Sequence, residues 1–600
     1  MDRRRFLGWC AGAAAAAAVG TGCGAPPAPA RRAARRPAPA LPPGPVDVAG
    51  APLRPPAVPL ATRDPYTSAW LCDTDLTGGW AQGWDGPPMQ VCGLARVDGQ
   101  ALVWCGRPDL AGVPAMRQVK LQVTSTRTVF TFEDAGVRLE AEWLSPVEPG
   151  NPTLQSVPLA LLTVTVTSTD GRRHDVQLYC EISGQWVSWD DTDVISWGTS
   201  QTANRHWAAQ LVSPSPLSEH NDMAAWGSVV FSTTPAGSTY QAGAAATLRE
   251  QFAARGALTG DVDPHFRAID DAAPAFGLAH DLGAVGPRPA DARWSMGHVL
   301  DAPAVRYLGQ PLDPLWTRHW SSWSDMADAF LAGAPAARRR AVALDDRIAR
   351  AAAAAGGPGY AALCALAVRQ AYAACYLVAG PDGQPWAFLE EISSDEDIST
   401  VDIILASSAV WLYLDPRYLA MLLEPVLSYA ASDRWTEPYA PHSLGFWPLA
   451  DGNPPGAASE PMPIQESAGM LVMIAALAAR DGSGALPLVE RYSDLWPRWA
   501  ALVAAQLPEP PSQLATVDYL GPSAGNTNLA CLGVVGLGAA AQLATLLRRH
   551  DEAREWSAQA TRFAGEWAAA ATDADGRHLD AEEGAGGSWS ILCNAFWDRA

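Results

Sequence analysis

The hydrophobic period of this chain changes once, near residue 320, and no other feature constrains its fold as tightly. Between about residues 90 and 260 apolar and polar residues alternate, the pattern that sends side chains to the two faces of a strand. Val119-Lys120-Leu121-Gln122-Val123, Val129-Phe130-Thr131-Phe132 and Val137-Arg138-Leu139-Glu140-Ala141 all carry it. The run 159–166, the turn dipeptide Asp170-Gly171 and the run 175–179 predict a hairpin. Strands in such succession predict an antiparallel β-sandwich over 55–320. Beyond 320, segments 336–354, 361–378, 403–414, 418–430, 468–479, 488–505 and 530–547 are rich in alanine and leucine and predict helices. Pro425 and Pro497 fall inside two of them, each expected to be kinked or divided. Helices joined by Pro-, Gly- and Asp-rich loops predict an (α/α)6 helical toroid over 321–600, with a simple bundle as the alternative. Six hundred residues exceed what one core can serve, which agrees with two units.

The N-terminus follows neither period. Arg3-Arg4-Arg5-Phe6-Leu7 is the layout of a twin-arginine export signal, and the alanine-rich stretch behind it is too short to span a bilayer. Gly20-Thr21-Gly22-Cys23 resembles a lipoprotein cleavage site without its usual leucine. Residues 1–23 therefore read as an export signal and 24–54 as a flexible Pro/Ala-rich tether. The expected location is outside the cytoplasm, secreted or held to the outer membrane face through a lipidated Cys23. A net charge of −21 and no basic stripe exclude nucleic acid as a partner.

The ten cysteines contain no CxxC pair and no Cys/His cluster at zinc spacing, so no metal centre is expected from them. Cys72, Cys92 and Cys105 are near enough in sequence to cross-link in an oxidising compartment, while Cys364 and Cys375 read as buried thiols. Asp395-Glu396-Asp397 reads as a solvated acidic loop, with calcium binding as the alternative. Gly521-Pro522-Ser523-Ala524-Gly525 fits the letters of a nucleophile elbow but lacks the strand that must lead into one. Trp70, Trp80, Trp84, Trp186 and Trp189 read as core, with sugar stacking as the alternative.

A series of segments, in order, resembles the glutaminase A family of secreted proteins. They include Pro59-Leu60-Ala61-Thr62-Arg63-Asp64-Pro65-Tyr66, Leu144-Ser145-Pro146-Val147-Glu148-Pro149 and Ile182-Ser183-Gly184-Gln185-Trp186. In the back half they include Phe388-Leu389-Glu390-Glu391, Thr400-Val401-Asp402, Pro441-His442, Glu460-Pro461-Met462-Pro463 and Asn526-Thr527-Asn528-Leu529. The resemblance implies a β-sandwich followed by an (α/α)6 toroid and, as activity, hydrolysis of L-glutamine to L-glutamate and ammonia without a cofactor. Against the family pattern Ser443, Gln465 and Val517 stand where carboxylates are expected. Were one of those the essential acid or base, this chain would be inactive or act on something else. A segment that precedes further helices in the family ends here at Ala600, so the chain is expected to be a fragment.

Polar residues that leave the apolar helical pattern line the mouth of such a toroid: Glu391, Asp402, Glu460, Glu466 and Asp518, with His442 and Asn528. Amide hydrolysis needs an activated water and a proton for the departing nitrogen, which paired carboxylates of separated pKa can supply. Glu391 or Glu466 is expected as base and Asp518 or Glu460 as acid, with His442 or Asn528 holding the substrate. Two rival classes remain. One is a glycoside hydrolase, since a sandwich joined to a helical toroid with two carboxylates also suits sugar cleavage. The other is a non-catalytic surface binding protein, favoured by the altered acids.

Overall fold

The computed structural model describes residues 55–84, 86–220, 222–392, 396–453, 460–516 and 521–599. The export signal, the tether, Asp395, Val517, Asp518 and Ala600 lie outside the described residues.

In the front half the alternating segments become strands. β1 (Val91–Val97) and β2 (Gln100–Cys105) pair, and β3 (Gln118–Val123), β4 (Arg127–Asp134) and β5 (Val137–Leu144) form a meander. The β4–β5 turn is Ala135-Gly136, with φ of +47° and +77°, the positive pair that matches the twist of the flanking strands. The expected hairpin across Asp170-Gly171 is not one. β6 (Ala160–Ser168) lies against β5 in a nine-stranded sheet, whereas β7 (His174–Ser183) lies against β1 in a five-stranded sheet. The turn dipeptide reverses the chain, but both edges of each strand are taken by other partners, so the turn carries the chain between layers. β8 (Val194–Gln201), β9 (Arg205–Leu211), β10 (Ser228–Thr233), β11 (Ser238–Ala244), β12 (Arg267–Ala268), β13 (Pro274–Val285) and β14 (Ala290–Val299) complete the two sheets. The nine-stranded order is β12-β8-β9-β10-β14-β6-β5-β4-β3 and the five-stranded order β11-β13-β7-β1-β2. Phe130, Leu162 and Val164 of the first share one buried cluster with Val176, Leu178 and Phe276 of the second, the apolar filling of a sandwich.

α1 (Ala245–Arg255) covers the outer face of the five-stranded sheet, packing Leu248 and Phe252 on Tyr179 and Cys92. Cys105 belongs instead to the core between the sheets, and Cys72 is exposed. None of the three is cross-linked, because they face different environments. Trp186 is fully buried and donates Nε1 to the Gln90 carbonyl at 3.1 Å, so it offers no face to a sugar.

The back half opens with α2 (Trp323–Ala373), broken at Gly357, whose φ of +80° and ψ of −177° suit only glycine, with Pro358 restarting the helix. The expected helix 361–378 ends at Ala373. Cys375–Ala379 is a strand paired with Pro385–Leu389, alanine content having carried the helical reading past the true end. There follow α3 (Val401–Leu414), α4 (Pro416–Ala430), α5 (Pro463–Asp481), α6 (Leu486–Arg491), α7 (Leu495–Gln506), α8 (Thr527–Leu546) and α9 (His550–Ala571). Pro425 is accommodated within α4, and the segment holding Pro497 is divided into α6 and α7. α9 escaped sequence reading because its buried stripe is only Trp556, Phe563 and Ala571. α5 is buried from Ile464 to Leu477 and packs between α3 and α8, and α8 is far more buried than its partner α9.

The two halves share a polar seam along α2. Arg338 holds Glu142 through Nε at 2.6 Å and Nη2 at 2.9 Å, and Arg340 holds Glu148 in the same bidentate manner. Asp345 accepts from Thr124, Thr126 and Arg127 of the sandwich at 2.7 to 2.9 Å. The charged side of this helix, which sequence alone would send to solvent, is a joint.

Candidate active site

α3 and α5 begin side by side, and each carries an acid in its first turn: Asp402 and Glu466. Partial positive charge at a helix N-terminus favours such carboxylates. Between them comes His442 from the loop joining α4 to α5, its carbonyl accepting the Val401 amide at 2.8 Å. His442 Nδ1 and Glu466 Oε1 are 2.6 Å apart, and His442 Nε2 lies 3.4 Å from Glu460 Oε2. One oxygen each of Asp402 and Glu466 and a ring nitrogen of His442 all fall within 4.8 Å of one another. Glu466 is fully buried, and Asp402 and His442 nearly so, while the Glu460 side chain is 46% exposed. Asp402 Oδ1 and Glu466 Oε2 have no hydrogen-bond partner among the described residues.

The charges are set by this crowding. Burial alone would lower the His442 pKa, but the hydrogen bond and charge of Glu466, then Asp402 and Glu460, reverse it and hold the ring as imidazolium. Glu466 is raised, first by burial and then by the Asp402 charge, with His442 opposing. The Nδ1–Oε1 hydrogen bond is too short for both atoms to ligate one metal ion, whose tetrahedral ligands sit roughly 3.3 Å apart. The pair shares a proton instead.

Of the residues singled out in the sequence, Asp402, His442, Glu460 and Glu466 come together. Glu391 is buried on the neighbouring loop, its amide donating to the Asp397 carbonyl at 2.9 Å, and its charge contributes to the rise at Glu466. Asn528 does occupy the first turn of α8, but its side chain is engaged elsewhere. Oδ1 accepts the Asn594 amide at 3.0 Å, and Nδ2 lies 3.1 Å from Cys593 Sγ. Asp518 lies outside the described residues. Asp397 of the acidic loop is buried and pairs through its backbone with Phe446, so this end of the loop is docked rather than solvated. Ser443 is buried and turned toward Asn453, which donates to its Oγ at 2.8 Å, and Gln465 is buried with Oε1 3.5 Å from the Thr516 amide. Ser523 of the elbow-like pentapeptide sits in a loop bridge with Gln513.

The sandwich also supplies a polar group beside Glu390, on the loop that carries Glu391. Tyr66 is buried, accepts the Trp447 indole N–H at 2.8 Å and hydrogen-bonds Glu219. Burial first, then the charges of Glu219 and Glu390, push its hydroxyl well above the usual tyrosine range. The segment before it is an anchor: buried Arg63 donates to the carbonyls of Pro146, Gln155 and Val157, and Asp64 Oδ1 accepts the amides of Tyr66 and Thr67. An unbroken Arg63-Asp64-Pro65-Tyr66 among apolar residues was the available signal. Glu396, Ser399 and Glu460, all non-glycine, hold φ of +67°, +58° and +43° in the loops around the site. Such backbone is sparsely populated and concentrates where function over-determines it.

Comparison with known proteins gives three family matches along the chain. Residues 357–600 match the model of the Glutaminase A six helical-hairpin domain, which gives the helical half its (α/α)6 architecture. Residues 126–351 and 46–116 match two domains of unknown function, DUF5127 and DUF4964. Glutaminase A of Aspergillus oryzae is 31% identical over 569 residues, covering 91% of this chain and 81% of that protein. A probable glutaminase of Arthroderma benhamiae is 26% identical, covering 91% of this chain and 73% of its own. Among solved structures, a bacterial glucoamylase complexed with acarbose aligns over 88% of this chain and 70% of its own, at 12% identity and a TM-score of 0.41.

Proposed function

This chain belongs to the glutaminase A family, and from that premise we propose that it is an amidohydrolase that cleaves the side-chain amide of L-glutamine to L-glutamate and ammonia. The observation that carries the reading is the His442 ring held between fully buried Glu466 and half-exposed Glu460, carboxylates that favour its charged form. Glu466 is beyond the reach of substrate, so its role is to orient and charge the ring rather than to attack. Glu460 takes the proton of a water whose oxygen adds to the amide carbon, the carbonyl π pair moving to oxygen. As the tetrahedral centre collapses and C–N breaks, His442 Nε2 gives its proton to the departing nitrogen, and Asp402 and Glu466 stabilise the ring throughout. This assignment makes Glu460 the base where an acid was expected, and gives the acid's role to His442 in place of substrate holding, because fully buried Glu466 leaves the half-exposed Glu460 to meet the water.

The test is ammonia release from glutamine by the purified chain, beside a panel of aryl glycosides. Glu460→Gln and His442→Gln each lower kcat by about 100- to 10,000-fold with unchanged circular dichroism. Turnover of a glycoside instead of glutamine would establish the sugar-cleaving rival, and silence toward both the binding-protein one. Export through the twin-arginine route, with acylation at Cys23, belongs to the same proposal. Cell fractionation of the Arg4→Lys/Arg5→Lys and Cys23→Ala variants tests it, and an unchanged distribution of both would remove it.

A further inference from the structure

After α9 the chain doubles back on itself. Thr572 and Leu579 form a bridge, the Asp580 amide donates to the Ala571 carbonyl at 2.8 Å, and the Asp573 amide donates to the His578 carbonyl at 3.1 Å. This tight return brings three donor atoms to one point. His578 Nε2 is 3.2 Å from Asp573 Oδ2 and 3.8 Å from Asp580 Oδ1, and the three residues offer ligand atoms within 4.8 Å of one another.

A second observation separates this cluster from an ordinary acidic turn. Asp580 is only 4% exposed, yet its Oδ1 has no hydrogen-bond partner among the described residues, and neither has His578 Nε2. Buried acceptors left in that state are costly unless something else satisfies them. The imidazole plane is fixed by Trp589, stacked at 3.9 Å and 9°. The other ring nitrogen, Nδ1, lies 3.7 Å from Asp575 Oδ1, so Nε2 is the nitrogen nearest Asp573 and Asp580.

We propose that Asp573, His578 and Asp580 form a binding site for a divalent transition-metal ion, zinc being the best match. Ligands at zinc distances on a tetrahedral ion sit roughly 3.3 Å apart, close to the separations found here and unlike the direct hydrogen bond of His442 and Glu466. An imidazole with two carboxylates suits zinc better than calcium, which gathers oxygens alone. The residues that follow are laced to the start of α8: the Thr527 amide donates to the Ala581 carbonyl, and the Glu583 amide to the Gly525 carbonyl. An ion at this point would staple the 571–583 return against the end of the helical domain where Asp402 and Glu466 also lie. The proposal stands whether or not the chain cleaves glutamine.

The experiment uses the whole chain, stripped with a chelator and titrated calorimetrically with zinc sulfate, then with calcium chloride. One equivalent of zinc binds and raises Tm. Asp580→Asn and His578→Gln each weaken binding by more than the ~100-fold that loss of a mere supporting hydrogen bond produces. His442→Gln keeps the equivalent. Cobalt(II) added to the unmutated chain gives the visible absorption of a low-coordinate site, a readout that needs no variant to fold. No zinc equivalent in the unmutated chain, its retention in both cluster variants, its loss in His442→Gln alone, or calcium binding in place of zinc would each overturn the assignment.

Discussion

Buried carboxylates occur in two regions of this molecule, and they are treated in opposite ways. At the seam, Glu142, Glu148 and Asp345 are as hidden as Asp402, yet every one is met by an arginine fork or by several hydroxyls. At the start of α3 and α5, Asp402 and Glu466 cluster about one histidine, and each keeps an oxygen unmatched among the described residues. Full neutralisation makes a carboxylate structural, because its charge is already spoken for. A deficit of partners leaves charge that can act on something that enters.

The comparison breaks most visibly if the regions exchange behaviour on mutation. Glu466→Gln is expected to lower kcat for glutamine by about 1,000-fold with Tm maintained, since it uncharges the ring but removes no mass. Arg127→Met, which strips both Glu142 and Asp345 of a partner, is expected to do the reverse. It lowers stability by about 3 kcal/mol in urea unfolding and leaves kcat at low temperature within a few-fold. Tyr66→Phe lies between the two: loss of its hydrogen bonds to Trp447 and Glu219 costs about 1 kcal/mol and lowers kcat/KM by about tenfold.

The smallest effect concerns protons. His442 and Glu466 both have folded pKa values above their ordinary ones. From the ordinary carboxylate range, about 4.3, upward, the folded chain therefore binds more protons than the unfolded one, and stability falls as pH rises until the raised His442 value is passed. Urea unfolding at a series of pH values gives that slope, and Glu466→Gln flattens it by deleting one raised group and the chief support of the other. Activity that needs the imidazolium declines along the same alkaline limb.

Where the sequence was readable and where it was not follows one rule. Helix bodies were legible from apolar periodicity, yet α3, α5 and α8 each begin two to five residues before the apolar pattern does. The residues hidden in that margin include Asp402, Glu466 and Asn528, polar positions that break the apolar pattern. They were singled out as polar breaks in that pattern, the family resemblance supplying the toroid whose mouth they were expected to line. Pairing was less legible: Asp170-Gly171 announces a reversal, but which sheet receives the next strand depends on β1 and β13, far away in sequence. The junction of Tyr66 with Trp447 and Glu390 was invisible in sequence because those partners lie in the other half of the chain.

The broken helix α2 has a genealogical consequence. Its front part is bolted to the sandwich through Arg338, Arg340 and Asp345, and its back part, beyond Gly357, carries Arg369, whose guanidinium reaches Thr62 and Thr128 of the sandwich. A recombination event that grafted this toroid onto a foreign sandwich would therefore orphan buried cations and anions together, on both sides of any cut. A chimaera of that kind is expected to unfold at lower urea than the parent, since each half would keep charges whose counterparts stayed behind.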